Sequence, residues 1–465
     1  MTDVTMWRTR REDVAVRAAR DLFAAVLGAD SPVRVTLPGG SVVGPADAAL
    51  VVHVRSIEAL AHLVRAPGEL GLARAYVSGA VDIEGDIGLA VALRDRVRSA
   101  SVVNRHAAEL VAALGPDLVR NPPPRPPEEI HGHRNPLTRH SKRRDAASIS
   151  HHYDVSNDFY RHVLGSSMTY SCAVFGDDTD SLEQAQQNKV ELVCRKLALE
   201  PGMRLLDVGC GWGAMAIHAA KHHRVRVVGV TISRPQYEHA RTAARSAGVD
   251  ELVEIRLQDY RDIADGPFDA ISSIGMFEHV GLARSAEYFG RLRDLLRDEG
   301  RLLNHQIGRP PTGNKRLGRE RTAVDPRGFV HRYVFPDGEL LEVGQLVNAM
   351  QEAGFEVRHL ESLREHYART LAAWEANLDA RWAEAAALVG EGRARVWKLY
   401  MAASAVMFRT NRLQVHQVLG VRTPPSGRSA MPWRTDWDVD LRVPGGGGGG
   451  PGGRVGPRGR CHERV

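Results

Sequence analysis

Between residues 204 and 307, five short apolar runs alternate with stretches of helical periodicity, and this alternation restricts the fold more than anything else in the chain. The runs are Arg204 to Val208, Val225 to Thr231, Val253 to Leu257, Phe268 to Ile274 and Arg301 to Ile307. Helical periodicity covers Ala214 to His222, Arg234 to Ala247 and Ala283 to Leu296. Near-continuous apolar strands are buried on both faces, and strands separated by helices pair in parallel. The expected fold class is therefore α/β, a Rossmann-like and mostly parallel sheet with helices on both faces. The first strand leads straight into Gly209-Cys-Gly-Trp-Gly213 and then a helix. Gly209, Gly211 and Gly213 let backbone approach a ligand closely, at the strand end where such sheets bind ligands. Their G-x-G-x-G spacing differs from the G-x-G-x-x-G of dinucleotide sites, so no pyrophosphate cradle is indicated. Asp207, just before the loop, is placed to face a cationic ligand.

Punctuation divides the rest. A small α+β unit is expected over 1–118, with an amphipathic helix from Glu12 to Leu27 and short strands around Pro38-Gly39-Gly40 and from Ala49 to Val54. Residues 119–147 form a Pro-rich and basic linker, because Asn121 to Pro127 cannot continue a helix. Its cations Arg134, Arg139, Lys142, Arg143 and Arg144 suit either a solvated tether or a patch meeting anionic headgroups. The catalytic domain is assigned to 148–440 and a disordered Gly-rich tail to 441–465. With 43% hydrophobic and 25% charged residues, wholesale disorder, collagen and coiled coil are excluded. The formal charge of +6 could favour phosphate-bearing partners, but no nucleic acid is indicated. Four cysteines without a CxxC pair argue against disulfides and zinc and for a cytoplasmic protein. No apolar run approaches the roughly 18 residues of a membrane span.

Strand, Asp207, three glycines and helix, in that order, resemble motif I of the class I S-adenosylmethionine-dependent methyltransferases. S-adenosylmethionine carries an ammonium and a sulfonium, which gives Asp207 its cationic partner. Those enzymes often hold the ribose with an acidic residue after the second strand. This chain has Gly229 to Gln236 there, leaving Thr231 and Gln236 to replace the carboxylate, with Ser233 in the same segment. After the third strand, Asp259, Tyr260 and Arg261 stand where adenine usually sits, although Tyr260 suits plain packing equally.

A narrower resemblance rests on His152 to Tyr160, Met168 to Phe175, Leu182 to Gln186, Phe277 to Gly281 and His366 to Leu371. These segments look like the cyclopropane-fatty-acyl-phospholipid synthase family, which includes the mycolic acid cyclopropane synthases, over about Ser148 to Leu419. The resemblance implies one-carbon transfer from S-adenosylmethionine to the double bond of an unsaturated phospholipid acyl chain through a carbocation. The product is a cyclopropane or a methylene group, the latter needing a separate reductase to become a methyl branch. A bound bicarbonate is implied as the base. Residue by residue, its implied holders are Cys172, Glu278, His305 and Tyr367, with a backbone contact from Ile307. Tyr170, Ser171 and Cys210 join the implied cofactor-binding set.

Each residue also has a plainer reading: Cys172 as a small buried hydrophobe, Glu278 as a helix start, His305 as a satisfied core histidine, Tyr367 as a helix end. Ser404 stands where many relatives have cysteine. Trp374, Trp382 and Trp397 are expected in the core and acyl-channel lining. Basic residues Arg309, Lys315, Arg316, Arg319 and Arg321 either clamp a lipid phosphate or line a solvated loop. Work on membrane lipid would put the enzyme at the inner face of the membrane, and the N-terminal unit is a candidate for homodimer formation. The competing readings are a methyltransferase of a soluble small molecule on the same fold and a non-catalytic lipid-binding protein with a decayed site.

Overall fold

The computed structural model describes residues 2–27, 31–66, 68–93, 108–112, 123–130, 156–311, 328–336, 338–435 and 437. The basic part of the linker, His152 to Val155, the cations from Lys315 to Arg321 and the Gly-rich tail lie outside the described residues.

Two sheets organise the chain. The first is small, in the order β2-β1-β3-β4, from β1 (Val33–Thr36), β2 (Val42–Val43), β3 (Leu50–Val54) and β4 (Val81–Gly85). Helices Thr2–Leu27 and Glu58–Arg65 accompany it, and Val33, Val35, Leu50, Leu60 and Val81 form its apolar core. Sequence reasoning missed β4, whose acidic residues give it little apolar signal.

The second sheet has seven strands in the order β10-β11-β9-β8-β5-β6-β7. They are β5 (Arg204–Val208), β6 (Arg226–Thr231), β7 (Val253–Leu257), β8 (Phe268–Ile274), β9 (Leu296–Gly308), β10 (Glu356–Ser362) and β11 (Gln414–Val421). Pairings among β5 to β9 are all parallel, whereas β11 is antiparallel to both β9 and β10. The parallel part matches the expected α/β class. Strands β10 and β11 were not foreseen, because β10 alternates charged with apolar residues and β11 buries glutamine and histidine. Strand order reverses at β5, between β6 and β8, so the carboxyl ends of β5 and β8 open a crevice.

Helices close both faces. Leu182–Leu197 begins where Ser181 Oγ accepts from Gln184 N at 3.2 Å, capping an otherwise orphaned donor. The long helices Arg364–Ala380 and Glu391–Arg409 bury Trp374, Trp397 and Tyr400 against Phe159 and Tyr160. Trp382 is only partly buried at the edge of this cluster. The N-terminal unit packs on the same helices: Arg395 donates to Asp82 and to Tyr76 O, and Phe329 N to Glu69 Oε1. A buried fork from Arg74 to Glu129 at 2.7 and 2.8 Å adds a charge-assisted tie.

Candidate active site

A cavity opens at the crevice. Its wall includes Tyr170, Ser171, Asp207, Gly209, Cys210, Gly211, Thr231, Gln236, Asp259, Tyr260 and Arg261, together with Lys189, Met276 and His279. Two residues expected there are absent from the wall. Gly213 caps the following helix, where a side chain would meet Ala240 Cβ at 3.1 Å, so its smallness serves packing. Ser233 caps the next helix, its Oγ accepting from Gln236 N at 3.4 Å. Gly209 and Gly211 turn at φ +75° and +54°, which holds the loop backbone against the cavity without a Cβ in the way.

Asp207 is 2% exposed. One carboxylate oxygen accepts from Ser272 Oγ at 2.7 Å, and the other, Oδ2, is buried without a partner. Burial pushes its pKa up to about 6, against the pull of the Ser272 hydrogen bond and the Lys189 charge. A bare carboxylate oxygen on a cavity wall is costly unless a cation or donor meets it, which is the chemistry the ammonium of S-adenosylmethionine offers.

Thr231 Oγ1 donates to Gln236 Oε1 at 2.9 Å and accepts from Ser233 N. With its oxygen engaged, Gln236 has its amide nitrogen left to offer a ligand. Asp259 and Arg261 form a tight ion pair, Nη2 to Oδ2 at 2.6 Å, and so neutralise each other at the rim. Tyr260 is buried edge-on to Tyr288 with ring centroids 5.0 Å apart, yet it still faces the cavity, so the packing and ligand-facing readings both describe it.

The catalytic candidates stand behind this wall, one residue beyond Ser171 and one before His279. Contacts tie them together. Cys172 Sγ donates to Leu363 O at 3.6 Å, and Tyr367 N donates to the same carbonyl at 3.1 Å. Leu363 N donates to Val415 O, and Val415 pairs across the sheet with Ile307. Ile307 N in turn donates to Glu278 Oε1 at 2.7 Å. The Ile307 N–H is thus engaged by Glu278, which it orients. Tyr367 sits in the first turn of the helix Arg364–Ala380, so it does not terminate that helix.

Two atoms in this group are buried without partners: Glu278 Oε2 and His305 Nε2. Burial pushes Glu278 up to about 7, opposed by the Ile307 hydrogen bond. Burial, with Lys189, Lys196 and His416 nearby, holds His305 well below its usual value, so the ring is neutral. Burial likewise pushes the Cys172 thiol far up, so it stays protonated. Ser404 is buried in the helix that also carries Tyr400. Bare Glu278 Oε2 and donor-capable His305 Nε2 fit a small hydrogen-bonding anion such as bicarbonate.

Lys189 was missed. It is 1% exposed, donates to Ser171 Oγ at 3.0 Å, and is depressed to about 8 by burial against the pull of Cys172 and Asp207. A lysine amid polar helix residues reads as surface, and only the fold shows otherwise. Cys194, His218 and His223 offer ligand atoms within 4.8 Å of one another. Glu191 Oε2 already accepts from both imidazoles at 3.0 and 3.1 Å, making the group a hydrogen-bonded strut between two helices.

Comparisons with known proteins bear on this site. The family described as mycolic acid cyclopropane synthetase matches residues 140–418. A probable fatty acid methyltransferase of Mycobacterium tuberculosis is 45% identical over 414 residues, 87% of this chain and 95% of that protein. The cyclopropane-fatty-acyl-phospholipid synthase of Escherichia coli K12 is 40% identical over 287 residues, 62% of this chain and 71% of that enzyme. The crystal structure of mycolic acid cyclopropane synthase CmaA1 complexed with SAH and CTAB matches with TM-score 0.55 and 34% identity, over 59% of this chain and 98% of that one.

Proposed function

The chain belongs to the mycolic acid cyclopropane synthetase family and is an S-adenosylmethionine-dependent methyltransferase of fatty acyl chains; on that premise we propose that its substrate is the double bond of an unsaturated phospholipid acyl chain, alkylated through a carbocation. The observation that carries this reading is the pairing of two kinds of bare polar atom. Asp207 Oδ2 stands open to a cation on the wall of the glycine-loop cavity, while buried Glu278 Oε2 and His305 Nε2 offer an acceptor and a donor to a hydrogen-bonding group such as bicarbonate.

When bound, S-adenosylmethionine supplies an electrophilic methyl group and bicarbonate supplies a base. The protein's own residues do the rest. Asp207 holds the cofactor's ammonium, and Gln236 and the Asp259 to Arg261 turn line the adenosine side. An olefin is a weak nucleophile, so orientation and exclusion of water must provide much of the rate. Trp374 and Tyr160, fully buried against Tyr170, and Phe159, fully buried against Tyr160, supply a dry aromatic wall for that purpose.

A carbocation would be trapped by any strong nucleophile in reach. Cys172 remains a thiol, Lys189 remains an ammonium below about pH 8, and Ser404 stands in place of a cysteine. Glu278 and His305 would hold the anion that supplies the base, His305 as donor and Glu278 able to accept or, when protonated, to donate. The proton leaves the added methyl in either outcome: lost directly, its C–H electron pair closes a cyclopropane; lost after a hydride shift has moved the cation to the methyl-bearing carbon, it forms the exocyclic double bond of a methylene for a separate reductase. Because the proposed substrate is a membrane lipid, the reaction belongs in this reading at the bilayer surface, on the inner face, with one lipid tail drawn into the protein; among the described residues no helix is long and apolar enough to cross a membrane.

The test is expression in a host rich in unsaturated phospholipids fed methyl-labelled methionine. Mass spectrometry should find label in acyl chains, and fragmentation distinguishes ring from methylene. Label confined to soluble metabolites would overturn the reading in favour of a small-molecule methyltransferase.

A further inference from the structure

Register places Glu361 of β10, Gln417 of β11 and His305 of β9 directly opposite one another, so the three side chains form a row on one face of the sheet. The helix Leu182–Leu197 packs nearby and sends fully buried Lys196 to this row. Its Nζ donates to Glu361 Oε2 and, at 2.7 Å, to Gln417 Oε1. An ammonium has only donors, so the amide end facing it must be oxygen. The other end of Gln417, the Nε2 amide, therefore faces His305 Nδ1, at 3.2 Å. Donor cannot face donor, so Nδ1 must accept, and a neutral imidazole that accepts at Nδ1 carries its proton on Nε2. Nε2 is the buried atom left without a partner.

We infer that Lys196 and Gln417 are positioning residues that lock His305 as its Nε2–H tautomer, making it a fixed hydrogen-bond donor and not a base. Reversing the tautomer would require the amide to turn over and present its NH2 to the Lys196 ammonium. The consequence for chemistry rests on the function proposed above: His305 donates to the anion, and the proton from the acyl chain goes elsewhere. Neither Lys196 nor Gln417 emerged from sequence reasoning.

Protein labelled with 15N in its histidines tests this by proton-coupled NMR, the His305 signals being assigned by their loss in His305→Gln. The expected wild-type spectrum has Nε2 protonated and Nδ1 unprotonated. Gln417→Glu puts an acceptor opposite Nδ1 and should move the proton there. Acyl labelling should then fall on the order of 100-fold, as when a histidine is held in the wrong tautomer, with cofactor affinity and melting temperature near wild type. A wild-type His305 protonated at Nδ1 or at both nitrogens overturns the proposal, whether or not the variant folds. So does a Gln417→Glu protein with the proton moved and the rate intact. Failure of the wild type to label acyl chains would instead defeat the lipid reading, and the spectrum would still decide the tautomer.

Discussion

Replacing Asp207 by asparagine should make the protein more stable and a worse binder at once. Asparagine keeps the shape, and its Oδ1 can still accept from Ser272 Oγ, so no hydrogen bond inside the fold is lost. What disappears is a buried negative charge. The folded carboxyl holds its proton up to about pH 6, whereas the unfolded one releases it near 3.8. Between those values the folded state binds more protons, so stability of the ligand-free protein falls as pH rises, and the penalty is complete above about pH 6. A displacement of this size corresponds to about 3 kcal/mol. Asp207→Asn should therefore raise the melting temperature of ligand-free protein at pH 8 by several degrees, on the order of 5 °C, and leave it unchanged in acid well below the unfolded carboxyl's pKa. Binding should move the other way. Loss of a charge-assisted hydrogen bond to the ammonium is worth about 1.5–3 kcal/mol, or roughly 10- to 150-fold in affinity for S-adenosylhomocysteine. Scanning fluorimetry at the two pH extremes and isothermal titration at pH 8 measure both. A variant destabilised at pH 8, or one binding as tightly as wild type, would refute the argument that Oδ2 is held bare for a cation.

Three further expectations follow from neighbouring groups. Lys189→Met removes a charge that pulls Asp207 down, so the pH at which cofactor binding reaches half its limit should move upward from about 6, as titrations across pH would show. Glu278→Gln can still accept from Ile307 N and should fold normally, but acyl labelling should drop about 100-fold or more, and a variant retaining the wild-type rate would remove Glu278 from the chemistry. Cys172, Cys194 and Cys210 are buried with their thiols pushed far up, so iodoacetamide at pH 8 should leave all three unmodified for as long as it takes to label the urea-unfolded chain, as read by peptide mass spectrometry.

How much of this was legible beforehand depends on whether the information is local. The runs that became β5 to β9, the turn at Gly209 to Gly213 and the placement of Asp207 follow from periodicity and backbone freedom over a few consecutive residues, and these emerged with ends off by a residue or two, except that β9 begins at Leu296, inside the expected helix. Strands β10 and β11 did not, because their residues look half polar until each finds its partner across the sheet. Thr231 and Gln236 were recognisable as cavity residues, but not that they bond each other.

What the amino-acid order determined is the α/β alternation, the loop that brings backbone to a ligand, and the set of residue types from which a site can be made. Tertiary structure alone decided which polar atoms are left bare in the interior, that Lys189 and Lys196 are buried on a helix that reads as polar, and which nitrogen of His305 carries the proton. The reason is physical: burial and donor–acceptor matching are set by groups far apart in the chain, such as Lys196 and Gln417, whose separation of 221 positions no local pattern can bridge.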